Sequence, residues 1–189
     1  MTDEAARATL EARNALLQFD AVGKLIQVRK PDLNLTPTDV CDLQRIAVQG
    51  IFACAGQFRQ VPISISNTPH SPPAHANVPG LVAEMCEYAN SVSKQPYHVA
   101  AYLMWRLNWI HPFADGNGRT SRAVSYLGLS CGLNLELTGT ITVPDLIVRD
   151  KIPYYDALDA ADAAWKAGRL DVSDMETLIQ RLLAEQLQS

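Results

Sequence analysis

The chain has 189 residues, 48% of them hydrophobic and 19% charged, with a formal net charge of −4 and a pI near 5.5. That size suits one soluble domain with a substantial core, and the acidic balance gives no electrostatic case for nucleic acid or an anionic membrane as partner. No apolar run reaches transmembrane length, and the start Met1-Thr-Asp-Glu4 is unlike a signal peptide; the expectation is a cytoplasmic protein.

An N-terminal helix is expected over residues 3–26, broken at Lys30-Pro31. Within it Arg7 stands four residues before Glu11, the spacing of an ordinary helical ion pair. A second helix is expected over residues 36–56, with Pro37 in its first turn and Asp39 near its N-terminus. The stretch Val61-Pro-Ile-Ser-Ile-Ser66 alternates apolar and polar residues before a Pro-rich loop through Val78. It reads as a strand or short hairpin, with Pro62 confining it to an edge. Two uses stand open for it: surface cover for the core, or an unpaired edge on which an extended peptide can pair.

A third helix starts near Val78-Pro79 and fades before Ser93-Lys-Gln-Pro96. Residues 97–110 carry Leu103, Leu107 and Ile110 at helical spacing, with Trp105 and Trp109 as another i,i+4 pair. Farther on, Val124, Leu127 and Cys131 form a helical stripe that Gly132 is expected to stop. A shorter helix begins near Thr142, another covers residues 153–168, and Ser173-Asp-Met-Glu176 has the spacing of a capping box for the last. There is no internal repeat. Cys41, Cys54, Cys86 and Cys131 lack paired spacing and lie in apolar helical patterns, so buried free thiols are expected and structural zinc is not. Tyr154 and Tyr155 read as core and surface partners, and His70, His75 and His98 have no metal-ligand spacing.

Between the two central helices runs His111-Pro-Phe-Ala-Asp-Gly-Asn-Gly-Arg-Thr-Ser-Arg122. Asp-Gly and Asn-Gly are also hairpin signals, but hairpins need alternating flanks and these flanks are helical. A helix start presents unpaired N–H groups and a positive dipole end to an anion. Gly116 and Gly118 leave the backbone open to a phosphate, Asn117 offers an amide donor, and Arg119 and Arg122 lie three apart on one helical face. Asp115 is the loop's one acid, enough for a magnesium ion otherwise held by substrate phosphates. His111 is the natural general base, and Phe113 is expected to pin the loop inward.

The run fills every defining position of His-x-Phe-x-Asp/Glu-Gly-Asn-Gly-Arg-x-x-Arg and so resembles the signature of the Fic family. Gly56-Gln-Phe-Arg59 is similar to that family's usual lead-in to its flap. The resemblance implies an all-α fold, a Fic-type helical bundle with a short β-hairpin flap. It also implies a single Fic domain over residues 1–189, with a core at about 36–150, the N-terminal helix at 3–26 and C-terminal helices at 153–187. The activity it implies is protein adenylyltransferase, moving AMP from ATP to a Ser, Thr or Tyr hydroxyl of a target protein. His111 would then take the hydroxyl proton and Asp115 would hold Mg2+. Gly116, Asn117 and Gly118 would cradle the α-phosphate, while Arg119 and Arg122 would hold the outer phosphates. Val61, Ile63, Ser64 and Ile65, in the flap, would dock the target.

Doc-type relatives, which move the terminal phosphate, carry Lys where this chain has Gly118, which favours AMP transfer. The motif does not read the base, so transfer of another nucleotidyl or phosphate-containing group stays open, as does a catalytically silent ATP-binding module. Many Fic proteins carry Ser/Thr-x-x-x-Glu-Gly/Asn on an inhibitory helix; no glutamate here precedes Gly or Asn. Glu11, the candidate by position, has Arg7 four residues before it and reads as an ordinary helical bridge instead of an inhibitory group. What remains is an unregulated enzyme, a separate inhibitory partner or control by self-association.

Overall fold

The computed structural model describes residues 3–65, 68, 70–135 and 141–188. Its helices, in chain order, are α1 (Asp3–Arg29), α2 (Pro37–Val48), α3 (Val78–Ser91), α4 (Pro96–Ile110), α5 (Asn117–Leu133), α6 (Val143–Arg149), α7 (Ile152–Lys166) and α8 (Ser173–Gln186). A short 3-10 turn at His75–Asn77 leads into α3. None of the helices is long and apolar enough to cross a membrane.

The centre of the bundle is the antiparallel pair α4 and α5, the most extensive helix contact in the chain. Helix α4 is buried almost all round, from Val99 through Leu107 to Ile110, which is why few of its residues are polar. Gly128 and Gly132 let α5 approach closely. A Cβ on Gly128 would stand 2.9 Å from Val99 Cγ1, and one on Gly132 would stand 2.9 Å from Pro96 Cβ. Gly132 therefore does not stop the helix as expected. That role falls to Asn134, left-handed at φ 54°, whose N–H reaches back to Ser130 and Cys131 carbonyls.

Helix α1 lies across α2 and α5 and runs three residues past its expected end. Buried Asn14 and Gln18 seat it, donating to the carbonyls of Gln49 (2.8 Å) and Leu43 (2.9 Å). Helix α2 begins with a full capping box between Thr36 and Asp39, and Arg29 grips the Asp39 carboxylate at 2.7 and 2.9 Å. It ends at Val48, earlier than expected, because Gly50 turns left-handed at φ 75°. Cys54 consequently falls outside the helix and is exposed, while Cys41 is half-buried and Cys86 and Cys131 are buried; all four are free.

Two further expectations fail for physical reasons. Residues 61–65 form no strand, and Ser66 lies outside the described residues. With Pro62 unable to donate and no strand among the described residues to pair with, the segment has no ladder, and Arg59 bonds instead to Val61 O at its start and to Pro73 O beyond it. The capping box at the start of α8 does not form either. Val172 is the N-cap, Ser173 Oγ turns back to Asp171 at 2.7 Å, and Glu176 takes His98 of α4 at 2.7 Å.

Candidate active site

Helix α4 ends where His111 adopts a left-handed conformation (φ 49°, ψ 60°), a strained choice for a residue other than glycine, and Pro112 follows. The His111 N–H still bonds to Leu107 O at 2.9 Å, so the turn is fixed. Its Nδ1 lies 3.3 Å from the Asn108 carbonyl. A proton on Nδ1 satisfies that contact and leaves Nε2 with a free lone pair. Burial drives the imidazole pKa down to about 4, the Asn108 contact opposing and Arg59 and His70 assisting, so the ring is neutral at physiological pH.

The loop that follows is closed from inside. Phe113 is fully buried, packed on Phe58 with ring centroids 5.6 Å apart, as an inward pin should be. Asn117 receives the Phe113 N–H at 2.9 Å and donates to the Phe113 carbonyl at 2.8 Å. The amide expected to donate to a phosphate is thus donated to the loop itself. Gly116 turns left-handed at φ 82° as the N-cap of α5, and a Cβ there would lie 2.7 Å from Val48 Cγ1. With no side-chain cap on this helix start, the first N–H groups of α5 are open to an anion.

Asp115, Gly116, Asn117, Gly118, Arg119, Arg122 and His111 all border one cavity of about 580 Å³. Arg119 is braced by Ala47 O and Asp115 Oδ1, both at 3.1 Å. Burial lowers the pKa of Arg122, chiefly by removing water, although Tyr154 nearby favours its charge. Both arginines also border a second, more apolar cavity of about 360 Å³ between α1, α5 and α6. Of the four flap residues, Ile65 reaches the main cavity, Ile63 is half-buried, and Val61 and Ser64 are exposed.

Among the described residues, no three His, Cys, Asp or Glu side chains cluster as a protein-only metal site. Three carboxylates border the cavity: Asp162 is taken up by Trp105 Nε1 at 2.7 Å and His70 at 3.5 Å, Asp159 stands on α7, and Asp115 belongs to the glycine loop, beside the uncapped start of α5. A single hard carboxylate there fits a magnesium ion carried in with phosphates, and Asp115 is the residue that would hold it.

Several residues of the site were not singled out by the sequence. Gln44, buried in α2, donates to Asp115 O at 2.8 Å and accepts from Gly56 N–H at 2.6 Å. Asn108 links Ser121 of α5 and Tyr154 of α7, each at 2.8 Å, beneath the cavity. Tyr154, Tyr155 and His70, set aside on sequence grounds, line the same wall; His70 Nε2 sits 2.8 Å from Trp109 O. A mid-helix polar residue on an otherwise buried face, as at Gln44 and Asn108, was the signal available.

Comparison with known proteins points the same way as this geometry. The family model described as Fic/DOC family matches residues 34–129, which contain α2, the flap segment and the whole 111–122 run. Two curated relatives named Protein adenylyltransferase Fic are similar: the one from Drosophila persimilis is 32% identical over 60% of this chain, and the one from Culex quinquefasciatus 28% identical over 82%. The aligned parts are 23% and 30% of those proteins, so the chain spans about a quarter of the length of the curated relatives it matches. Among solved structures, a Fic family protein from Desulfovibrio desulfuricans G20 superposes with a TM-score of 0.73 at 23% identity, covering 96% of this chain and 54% of that one. Its likeness is one of fold. With the matched model covering half of its sequence, the chain belongs to the Fic/DOC family.

Proposed function

We propose that this protein is an AMP transferase, moving AMP from ATP to a side-chain hydroxyl of a target protein. The observation that carries this reading is the gathering of the neutral His111, the Asp115 carboxylate, the uncapped start of α5 and two arginines around one cavity. The names of the similar adenylyltransferases support it.

In this reading Nε2 of His111 accepts the proton as the target hydroxyl oxygen attacks the α-phosphorus. The new O–P bond forms as the bond to the β-bridging oxygen breaks, and pyrophosphate leaves with that electron pair. The first N–H groups of α5 stabilise negative charge growing on the α-phosphate oxygens, and Arg119 and Arg122 hold the β- and γ-phosphates. Asp115 would hold Mg2+, which would supply neutralisation of the phosphate charge. Asn117 keeps the loop closed, and Ile65 marks where the flap segment meets the target side chain. Alignment and charge stabilisation supply nearly all of the acceleration.

The test is incubation with α-labelled and, separately, γ-labelled ATP and magnesium, with and without cell lysate, beside His111→Ala. Protein label from the α-position alone, lost in the variant, is the expected result. Label from the γ-position, or equal label in His111→Ala, overturns the assignment.

A further inference from the structure

Helix α1 does more than cover the bundle, because its first turns reach the motif. Arg7 Nη2 lies 3.4 Å from Asp115 Oδ2, across 108 residues of sequence. The other oxygen of that carboxylate, Oδ1, already accepts from Arg119 Nη2 at 3.1 Å and from the Gly116 N–H. Arg7 Nε is paired with Glu11 Oε1 at 3.1 Å, as its helical spacing suggested, and the same Glu11 oxygen lies 3.9 Å from Arg119 Nη1. Arg7, Glu11, Arg119 and Asp115 therefore close a ring of alternating charge over the edge of the cavity.

We propose that the start of α1 is a resident competitor for the divalent cation, with the Arg7 guanidinium standing on Asp115 where the metal would bind. The inference rests on the reading that Asp115 is the protein's metal ligand. A carboxylate already shared by two guanidinium groups and a backbone N–H offers little free lone-pair capacity. A cation approaching it also meets the positive charge of Arg7 at close range. Binding of a metal–nucleotide complex then requires Arg7 to leave Asp115, while the nucleotide phosphates draw Arg119 from Glu11. The ring depends on α1 being seated, and Asn14 and Gln18, one and two turns beyond Glu11, seat it. Metal affinity is thereby coupled to the docking of the N-terminal helix, and whatever lifts that helix sensitises the site to metal.

Arg7 and Glu11 are solvent-exposed (side chains 55% and 40% accessible), which sets a modest scale. An exposed pair changes an equilibrium by roughly two- to five-fold. The experiment titrates Mn2+, a paramagnetic stand-in for Mg2+, into the full chain with a saturating non-hydrolysable ATP analogue, reading free Mn2+ by electron spin resonance. Arg7→Gln is expected to lower the half-saturating Mn2+ about two- to five-fold, while Arg7→Lys keeps the wild-type value. Binding of the analogue without metal should not tighten in Arg7→Gln. An unchanged or raised Mn2+ requirement in Arg7→Gln overturns the proposal. An Asp115→Asn arm separates the two readings: if it binds Mn2+ with the analogue as well as wild type does, Asp115 is not the metal ligand and both readings fall.

Discussion

The guanidinium Nε of Arg59 donates to the main-chain carbonyl of His111 at 2.8 Å. The same side chain also reaches Val61 O at 3.3 Å, Pro73 O at 2.5 Å and Ile110 O at 3.4 Å, and the Arg59 N–H bonds to Pro112 O at 2.9 Å. One buried arginine thus ties Val61 and Pro73, at the two ends of that segment, to the turn at His111. Where a sheet ladder would have fixed the segment, a planar five-donor fork does so.

Replacing Arg59 by Lys keeps the charge and loses the fork. A single ammonium cannot reach four carbonyls spread over three segments. Arg59→Lys is expected to destabilise the fold by about 2–3 kcal/mol, the scale of losing charge-assisted buried hydrogen bonds. Protein labelling should fall more than nucleotide binding does, because the flap loses its anchor. Urea unfolding and a paired labelling and nucleotide-binding assay check this; an unchanged unfolding midpoint would refute it.

Asn117 is expected to act through loop closure. Asn117→Asp keeps the acceptor for the Phe113 N–H but turns the donor to the Phe113 carbonyl into an oxygen facing an oxygen. In a site 3% exposed, that costs about 2–4 kcal/mol. Thermal unfolding of the variant should shift down along with loss of activity. Loss of activity with full stability would place Asn117 in direct contact with the nucleotide instead.

The helices and the motif were readable because both rest on local rules. The 3.6-residue periodicity of residues 97–110 gave α4, and Thr36 with Pro37 and Asp39 gave the start of α2. What was not readable depends on distant partners. Ser173 and Glu176 had the spacing of a cap, yet His98 on α4 competes for Glu176. Residues 61–65 alternate like a strand, but alternation cannot supply a strand to pair with. The site residues Gln44, Asn108 and Tyr154 look like ordinary helix positions until α2, α4 and α7 converge on the loop.

Gly132 gives a packing test in which two known magnitudes oppose. Alanine in a helix interior is favoured over glycine by roughly 1 kcal/mol. Here, however, the new Cβ meets Ser93 O at 3.0 Å and Pro96 Cα at 3.1 Å, main-chain atoms that do not swing aside. Overpacking of that kind costs about 1–3 kcal/mol, so Gly132→Ala is expected to be destabilising on balance. Gly23, inside α1 with nothing within 4 Å of a built Cβ, is the control. Gly23→Ala should stabilise by up to about 1 kcal/mol. Equal shifts for the two variants in urea would contradict the close contact of α5 with the start of α4.

The buried imidazole of His111 makes a pH prediction with a definite sign. Its folded pKa is about 4, against an ordinary value of 6.5, because burial disfavours the charged ring. Below pH 6.5 the unfolded chain therefore takes up a proton that the folded chain refuses. Stability from this group is fully present above pH 6.5, declines as pH falls toward 4, and changes no further below that. The gap corresponds to at most about 3 kcal/mol. His111→Gln removes the titration, so its stability should vary less between pH 4 and 6.5 than that of wild type, measured by urea midpoints across the range. The same shift keeps the imidazole, the base of the proposed reaction, unprotonated well into mild acid. The acid limb of kcat/KM due to this residue should accordingly fall between pH 4 and 5, not near 6.5. A limb centred at 6.5, with identical stability slopes in wild type and His111→Gln, would mean that the ring is hydrated and outside the enclosed position found for it.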